Sequence, residues 1–223
     1  MTLPILYSLQ HCPYAMRARL AILLSQQTVQ LRAITMKNKP AEMLIASPKG
    51  TVPVLILNEN KSNQHVIDES LDIMLWALNQ NDPDNLLYFQ HEKKENALTE
   101  MLTIIAENDT QFKPKLEKYK RAKRFHHKDE EQCRLDCEPF IQRLEQRLTQ
   151  HTFLMGETPS LLDYALLPFV RQFSKVNRPL FLQGGYSHLQ RWLSDHLQSR
   201  LFSKVMTKHP LWLENHEKCI FGE

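Results

Sequence analysis

Glycine is scarce, with 5 in 223 residues, which argues against a turn-rich all-β fold and favours helices joined by short connections. No apolar run approaches the roughly 18 residues of a membrane span. The start, Met-Thr-Leu-Pro leading straight into Ile5-Leu6-Tyr7, lacks a basic segment followed by a long apolar one, so no signal peptide is expected. Net charge is also small. The balance of 28 Lys and Arg against 25 Asp and Glu leaves +3, too little to imply nucleic-acid binding but compatible with a local site for a small anion. Paired cysteines are missing too: Cys12, Cys133, Cys137 and Cys219 are scattered, which with no export signal suggests a cytoplasmic, reducing setting with free thiols and no disulfide framework.

What is present divides in two. Residues 3–9 read as a short strand apolar enough to be central, and Met16, Leu20, Leu23 and Leu24 recur at helical spacing behind Pro13. A half-buried strand over 28–34, a short helix over 40–46, two β-prone runs at Val54–Leu57 and His65–Ile67 around a polar Asn58–Gln64 turn, and a helix over 69–79 complete a βαβαββα order. Gln80–Leu86 is polar and contains Pro83, as a linker would. Beyond it the strand signal disappears. Leu98, Met101, Leu102 and Ile105 mark one helix, and Phe140, Ile141, Leu144 and Leu148 another that Pro139 should kink or divide. Ser160-Leu-Leu-Asp163 fits a capping box before Leu161–Phe173, apolar almost all round as in a buried central helix, with Pro168 implying a kink. Two more helical segments cover 186–199 and 200–208. The expected domains are 1–79 (α/β), a linker over 80–90, and an all-α domain over 91–223.

Three places could carry chemistry. Cys12 lies between the first strand and first helix, where free N–H groups and the helix dipole favour a thiolate; the alternative is a small buried apolar residue. Ala15 stands where a dithiol oxidoreductase would have its second cysteine, so a mixed disulfide at Cys12 would need an outside thiol. Pro53 follows Val52 at the entry to a strand: a cis bond would free the Val52 backbone for an extended peptide, while a trans proline on an edge strand is the simpler reading. Glu69 and Ser70 open a helix, where they could hold an ammonium and a carboxylate or serve as a plain N-cap.

Together His11-Cys-Pro-Tyr-Ala-Met-Arg-Ala-Arg19, Lys37-Asn-Lys-Pro40, Ser47-Pro-Lys-Gly-Thr-Val-Pro-Val54, Asp68-Glu-Ser70 and the Phe153–Asp163 capping region resemble the glutathione transferase superfamily, most of all its omega-type cysteine-containing members. The resemblance implies a thioredoxin-like N-terminal domain, a helical-bundle C-terminal domain and a glutathione site between them. It further implies that Cys12 forms a mixed disulfide with glutathione, Lys39 binds the glycine carboxylate, Val52 before a cis Pro53 pairs with the cysteinyl backbone, and Glu69 with Ser70 holds the γ-glutamyl group. Cysteine members tend to be redox-active thiol transferases or reductases, with glutathione as co-substrate and a disulfide or electrophilic small molecule as partner. Tyr7, Ser8 and His11 are possible assisting residues, and Tyr7 or Ser8 keeps open a conjugating transferase. A third reading is a non-enzymatic module similar to the stringent starvation protein, which binds RNA polymerase. The superfamily also implies a homodimer.

Other signals are weaker. Phe112, Tyr119 and Trp192 are candidates for the co-substrate pocket, with core residues as the plainer reading. Lys113–Lys128 is densely basic with Tyr119 and Phe125 interleaved, but reads as a solvated surface rather than a nucleic-acid site. His126, His127, Cys133 and Cys137 lack structural zinc spacing, so no metal is expected; Cys219 reads as a bystander.

Overall fold

The computed structural model describes residues 3–58, 65–88 and 96–222. The Asn58–Gln64 turn beyond Asn58 and the far end of the 80–90 linker lie outside them. The chain divides into two compact units: Met1–Asp84 with Ser199–Glu223, and Asn85–Gln198.

The first unit is built on strand β1 (Ile5–Ser8), whose four residues are all buried, as its unbroken apolar run requires of a central strand. Helix α1 (Pro13–Leu24) leads to β2 (Val29–Ala33), which pairs parallel to β1 in the register Leu6↔Leu31. Helix α2 (Ala41–Ala46) leads to β3 (Val54–Ile56), antiparallel to β1 with Leu6↔Leu55, and β3 pairs with β4 (Val66–Ile67). Helix α3 (Ser70–Gln80) then packs on α1. This is the expected βαβαββα, a thioredoxin-like domain. Leu6, Leu20, Ile22, Ile73 and Met74 are wholly buried, each worth roughly 1.5–3 kcal/mol of transfer free energy.

A fifth strand comes from the other end of the chain. Strand β5 (Cys219–Phe221) pairs antiparallel with β2, giving the sheet order β4-β3-β1-β2-β5. The expected 91–223 domain is therefore corrected: helix α10 (Arg200–Val205), the turn α11 (Trp212–Asn215) and β5 belong to the first unit. Pairing covers the β2 edge that would otherwise present unbonded N–H and C=O groups. Gly222 closes the strand at φ +116°, where a Cβ would fall 1.8 Å from the Gln27 carbonyl oxygen.

The second unit is helical: α4 (Ala97–Glu107), a π-helical turn at Asn108–Phe112, α5 (Lys113–Arg124), α6 (Glu130–Gln150), α7 (Leu161–Val176), α8 (Arg178–Gln183) and α9 (Ser187–Gln198). Helix α7 touches α4, α5, α8 and α9, and Leu161 through Val170 are all buried, the central position that its all-round apolar sequence predicts. The expected capping box is present. Asp163 is wholly buried, and its Oδ2 accepts from the Ser160 N–H at 2.9 Å and the Ser160 hydroxyl at 2.6 Å. Pro139 does not divide its helix: α6 runs unbroken from Glu130 to Gln150. Cys133 and Cys137 lie on its buried face with Phe140, Ile141 and Leu144.

Candidate functional site

Cys12 caps α1 with extended backbone (φ −72°, ψ 124°), and its carbonyl accepts the first helical bond from Met16 N–H at 2.9 Å. Pro13 fills the first helical position, and the first turn holds no acidic residue to compete for the positive end of the helix dipole. The Cys12 Sγ faces the Val52 carbonyl oxygen at 3.7 Å, across a Val52–Pro53 bond that is cis. That turn lies just beyond the β1–β3 ladder, which ends at Tyr7↔Val54. Among the described residues the Val52 N–H makes no backbone hydrogen bond.

The other expected residues gather around this turn in the first unit. Gly50 sits at φ +61°, and a Cβ there would be 3.1 Å from the half-buried Lys39 Nζ, so Lys39 lies against the 47–50 turn. Glu69 is the exposed N-cap residue of α3, and Ser70, 4% exposed, opens the helix and accepts from Arg17 Nη1 at 3.5 Å. Lys49, which sequence reasoning passed over, reaches Glu69 Oε1 at 2.5 Å and Asp68 Oδ1 at 3.1 Å. Burial by itself would lower the Lys49 ammonium; these two carboxylates more than reverse it. The Ser47 hydroxyl, at 2.6 Å, and Lys49 together hold Asp68 below the usual carboxylate range, against burial. Both Ser47 and Lys49 stand inside the Ser47–Val54 motif, which was the available signal.

Two arginines fix the strand that feeds Cys12. Arg19, 2% exposed, donates to the Ser8 hydroxyl, to the carbonyls of Leu9 (3.1 Å) and Gln10 (2.6 Å), and to that of Val205 (3.0 Å). Leu9 O also accepts from Cys12 N–H at 3.2 Å, so the guanidinium and the cysteine share one carbonyl. Burial drags Arg19 down to about 10, with Cys12 pulling the other way. Arg32 donates to the Tyr7 hydroxyl at 2.7 Å and lies 4.0 Å from the centre of the Trp212 ring, whose N–H donates to Glu42 at 2.7 Å. Burial, against the pull of Arg32, pushes the Tyr7 phenol up to about 12. Tyr7 and Ser8 are thus buried and bound to arginines, whereas His11 is exposed.

The helical-unit candidates are core. Phe112 stacks on Phe140 at 4.7 Å, Tyr119 is tilted against Phe173, and the Trp192 N–H donates to Asp163 Oδ1 at 2.9 Å. In the basic stretch Lys113 and Lys120 pair with Glu117, and Lys123 with Glu130.

The glutathione S-transferase N-terminal-domain family matches residues 6–85, and the corresponding C-terminal-domain family matches residues 131–195, together well over half of the chain. The chain belongs to the glutathione S-transferase superfamily. Mouse (Mus musculus) glutathione S-transferase omega-1 is 28% identical over 171 residues, covering 76% of this chain and 67% of that protein. A glutathione transferase from Pseudomonas putida, solved with one glutathione disulfide bound per subunit, superposes with a TM-score of 0.77 at 15% identity, covering 93% of this chain and 92% of its own. Glutathione transferase Omega 2C from Trametes versicolor gives 0.75 at 18% identity, with 93% and 94% covered. The chain therefore shares its fold with these omega-type and bacterial structures. No helix among its described residues is long and apolar enough to cross a membrane.

Proposed function

We propose that this chain is a glutathione-dependent thiol transferase or reductase with Cys12 as the nucleophile. The carrying observation is the Cys12 sulfur at an acid-free helix N-terminus, facing the Val52 carbonyl beside a cis Pro53. Glutathione binds with its cysteinyl backbone on Val52, its glycine carboxylate on Lys39, and its γ-glutamyl carboxylate and ammonium at Ser70 and Glu69. Because Glu69 holds Lys49, the incoming ammonium shares that carboxylate with Lys49.

The Cys12 thiolate attacks the glutathionyl sulfur of a mixed disulfide. A Cys12–glutathione disulfide forms, the old S–S bond breaks, and the other half leaves as a thiolate that takes a proton from water. A second glutathione thiolate attacks the glutathionyl sulfur held on Cys12, releasing glutathione disulfide and restoring the Cys12 thiolate. The sum is a thiol–disulfide exchange: the mixed disulfide and one free glutathione thiol give the released thiol and glutathione disulfide, with no outside oxidant or reductant.

Conjugation assisted by Tyr7 or Ser8 is disfavoured, because Arg32 and Arg19 already hold these hydroxyls. The test is turnover of the mixed disulfide of glutathione and 2-mercaptoethanol by the wild type and by Cys12→Ser, with an aromatic halide as parallel substrate. Loss of thiol transfer in Cys12→Ser supports the proposal. An undiminished rate removes Cys12 from the mechanism, and failure to be retained on immobilised glutathione would favour a non-enzymatic module.

A further inference from the structure

The helical unit contains a cavity of about 480 Å³, lined only by its own residues, so none of Cys12, Lys39, Val52, Glu69 and Ser70 takes part. One wall is aromatic. Phe181 and Tyr186 stack with ring centres 5.8 Å apart, and Phe173 meets Phe181 edge-on at 6.1 Å. The turn between α8 and α9 that carries Tyr186 is fixed rather than loose: Gln190 Nε2 donates to the Phe181 carbonyl at 2.9 Å and lies 3.3 Å from that of Leu182. A Cβ at Gly184 would fall 2.5 Å from Tyr186 Cε2, so the missing side chain lets that ring close over the turn. The volume suits a small organic molecule.

The facing wall is charged, and it carries both signs. Arg134 and Glu138 stand one turn apart on α6 and pair through Arg134 Nη1 and Glu138 Oε1, with side chains only 24% and 17% exposed. The Tyr186 hydroxyl donates to the same Oε1 at 2.8 Å; burial and this carboxylate push the phenol up, so it stays a donor. All of these bonds end on one oxygen and come from one guanidinium nitrogen. Among the described residues Glu138 Oε2 has no partner, and neither has the Nε–Nη2 edge of Arg134. That edge is the fork that takes a carboxylate through two parallel bonds.

We infer that this cavity binds a free α-amino acid with an apolar side chain, its carboxylate on the open edge of Arg134, its ammonium on Glu138 Oε2 and its side chain against Phe173, Phe181 and Tyr186. A ligand of one sign meets both a partner and a like charge here, because the two protein charges are neighbours. A zwitterion that carries its own charges on adjacent atoms is matched at both ends. The aromatic wall adds burial for the side chain. The site is separate from that proposed for glutathione, so its occupancy does not depend on Cys12.

The experiment is calorimetric titration of the full chain with L-phenylalanine and, separately, with phenethylamine, which lacks the carboxylate, and 3-phenylpropanoate, which lacks the ammonium. L-phenylalanine is expected to bind at one site per chain, about tenfold or more tighter than either analogue. Glu138→Gln keeps an acceptor for Tyr186 and is expected to weaken L-phenylalanine about tenfold without weakening 3-phenylpropanoate. Leu180→Trp, which fills the cavity from a position 45% exposed and leaves the ion pair in place, is expected to abolish binding. Cys12→Ser is expected to bind L-phenylalanine as the wild type does even if thiol transfer never depended on Cys12, so the two readings fail separately. Absence of saturable L-phenylalanine binding, equal affinity for either analogue, or unchanged binding by Glu138→Gln or by folded Leu180→Trp overturns the inference.

Discussion

Asp163 is the side chain whose loss should cost the helical unit most. It is wholly buried and accepts from the N–H and hydroxyl of Ser160, from the Leu154 N–H at 2.9 Å, and from the Trp192 indole at 2.9 Å. One carboxylate thus joins the start of α7, the loop before it and α9. Asp163→Ala leaves three N–H donors buried and unbonded, since the Ser160 hydroxyl can turn elsewhere. At about 1–3 kcal/mol for each orphaned group, and allowing for relaxation, the cost is about 4–6 kcal/mol, against a total domain stability of about 5–15 kcal/mol. Ser160→Ala removes only one capping hydroxyl and should cost about 1 kcal/mol. The two variants therefore separate a plain helix cap from a three-way junction. Urea unfolding followed by far-ultraviolet circular dichroism reads both. If Asp163→Ala proved no more destabilising than Ser160→Ala, the bonds to Leu154 and Trp192 would contribute nothing, and the reasoning would fail.

The first unit offers two further tests. Gly50→Ala places a Cβ 3.1 Å from Lys39 Nζ and 3.2 Å from Leu44 Cδ2 in a left-handed turn; displaced Lys39 should raise KM for glutathione roughly threefold or more while kcat holds, and an unchanged KM would take Lys39 out of the glycine-carboxylate site. Asp68 is held below the usual range chiefly by the Ser47 hydroxyl, so its contribution to stability is present above its unfolded value of about 4 and is lost as pH falls through the lower folded value. Ser47→Ala should move the Asp68 titration upward, seen by carbon-13 NMR of the carboxylate, and shift the acid limb of stability to higher pH. A titration that stayed in place would mean that Lys49 alone stabilises the anion.

What could be read from sequence was what neighbours in the chain decide. Ser160 and Asp163 are three residues apart, so their capping box is a local rule, and the burial of β1 follows from its own apolar run. Cys12, Lys39, Val52, Glu69 and Ser70 were singled out as candidates because they stand in short motifs, and the first unit brings those motifs to one turn. Strand β5 was illegible because three residues, Cys-Ile-Phe, carry no usable period; only the open edge of β2, nearly 190 positions earlier, makes them a strand. Tyr119 and Trp192 illustrate the converse. Aromatics that could have lined a pocket are buried instead, since which face of a helix turns inward depends on packing that sequence does not display.

The placement of residues 199–223 in the first unit changes how the loop before Cys12 should be understood. The carbonyls of Leu9 and Gln10, just before Cys12, are held by Arg19, and Arg19 is itself tied to Val205; Gln10 Nε2 also donates to the Met206 carbonyl at 2.8 Å. Trp212 reinforces the tie, packing against the core around Tyr7 and Val52 while its ring stacks with Arg32 and its N–H holds Glu42 at the start of α2. A fragment cut at the linker, residues 1–90, would retain every residue assigned to glutathione yet lose one of the four Arg19 acceptors, a cation–π partner worth about 0.5–2 kcal/mol, and the cover on β2. The geometry that presents the sulfur is therefore a property of both ends of the chain, although the residues that name the family all lie in its first 200 positions.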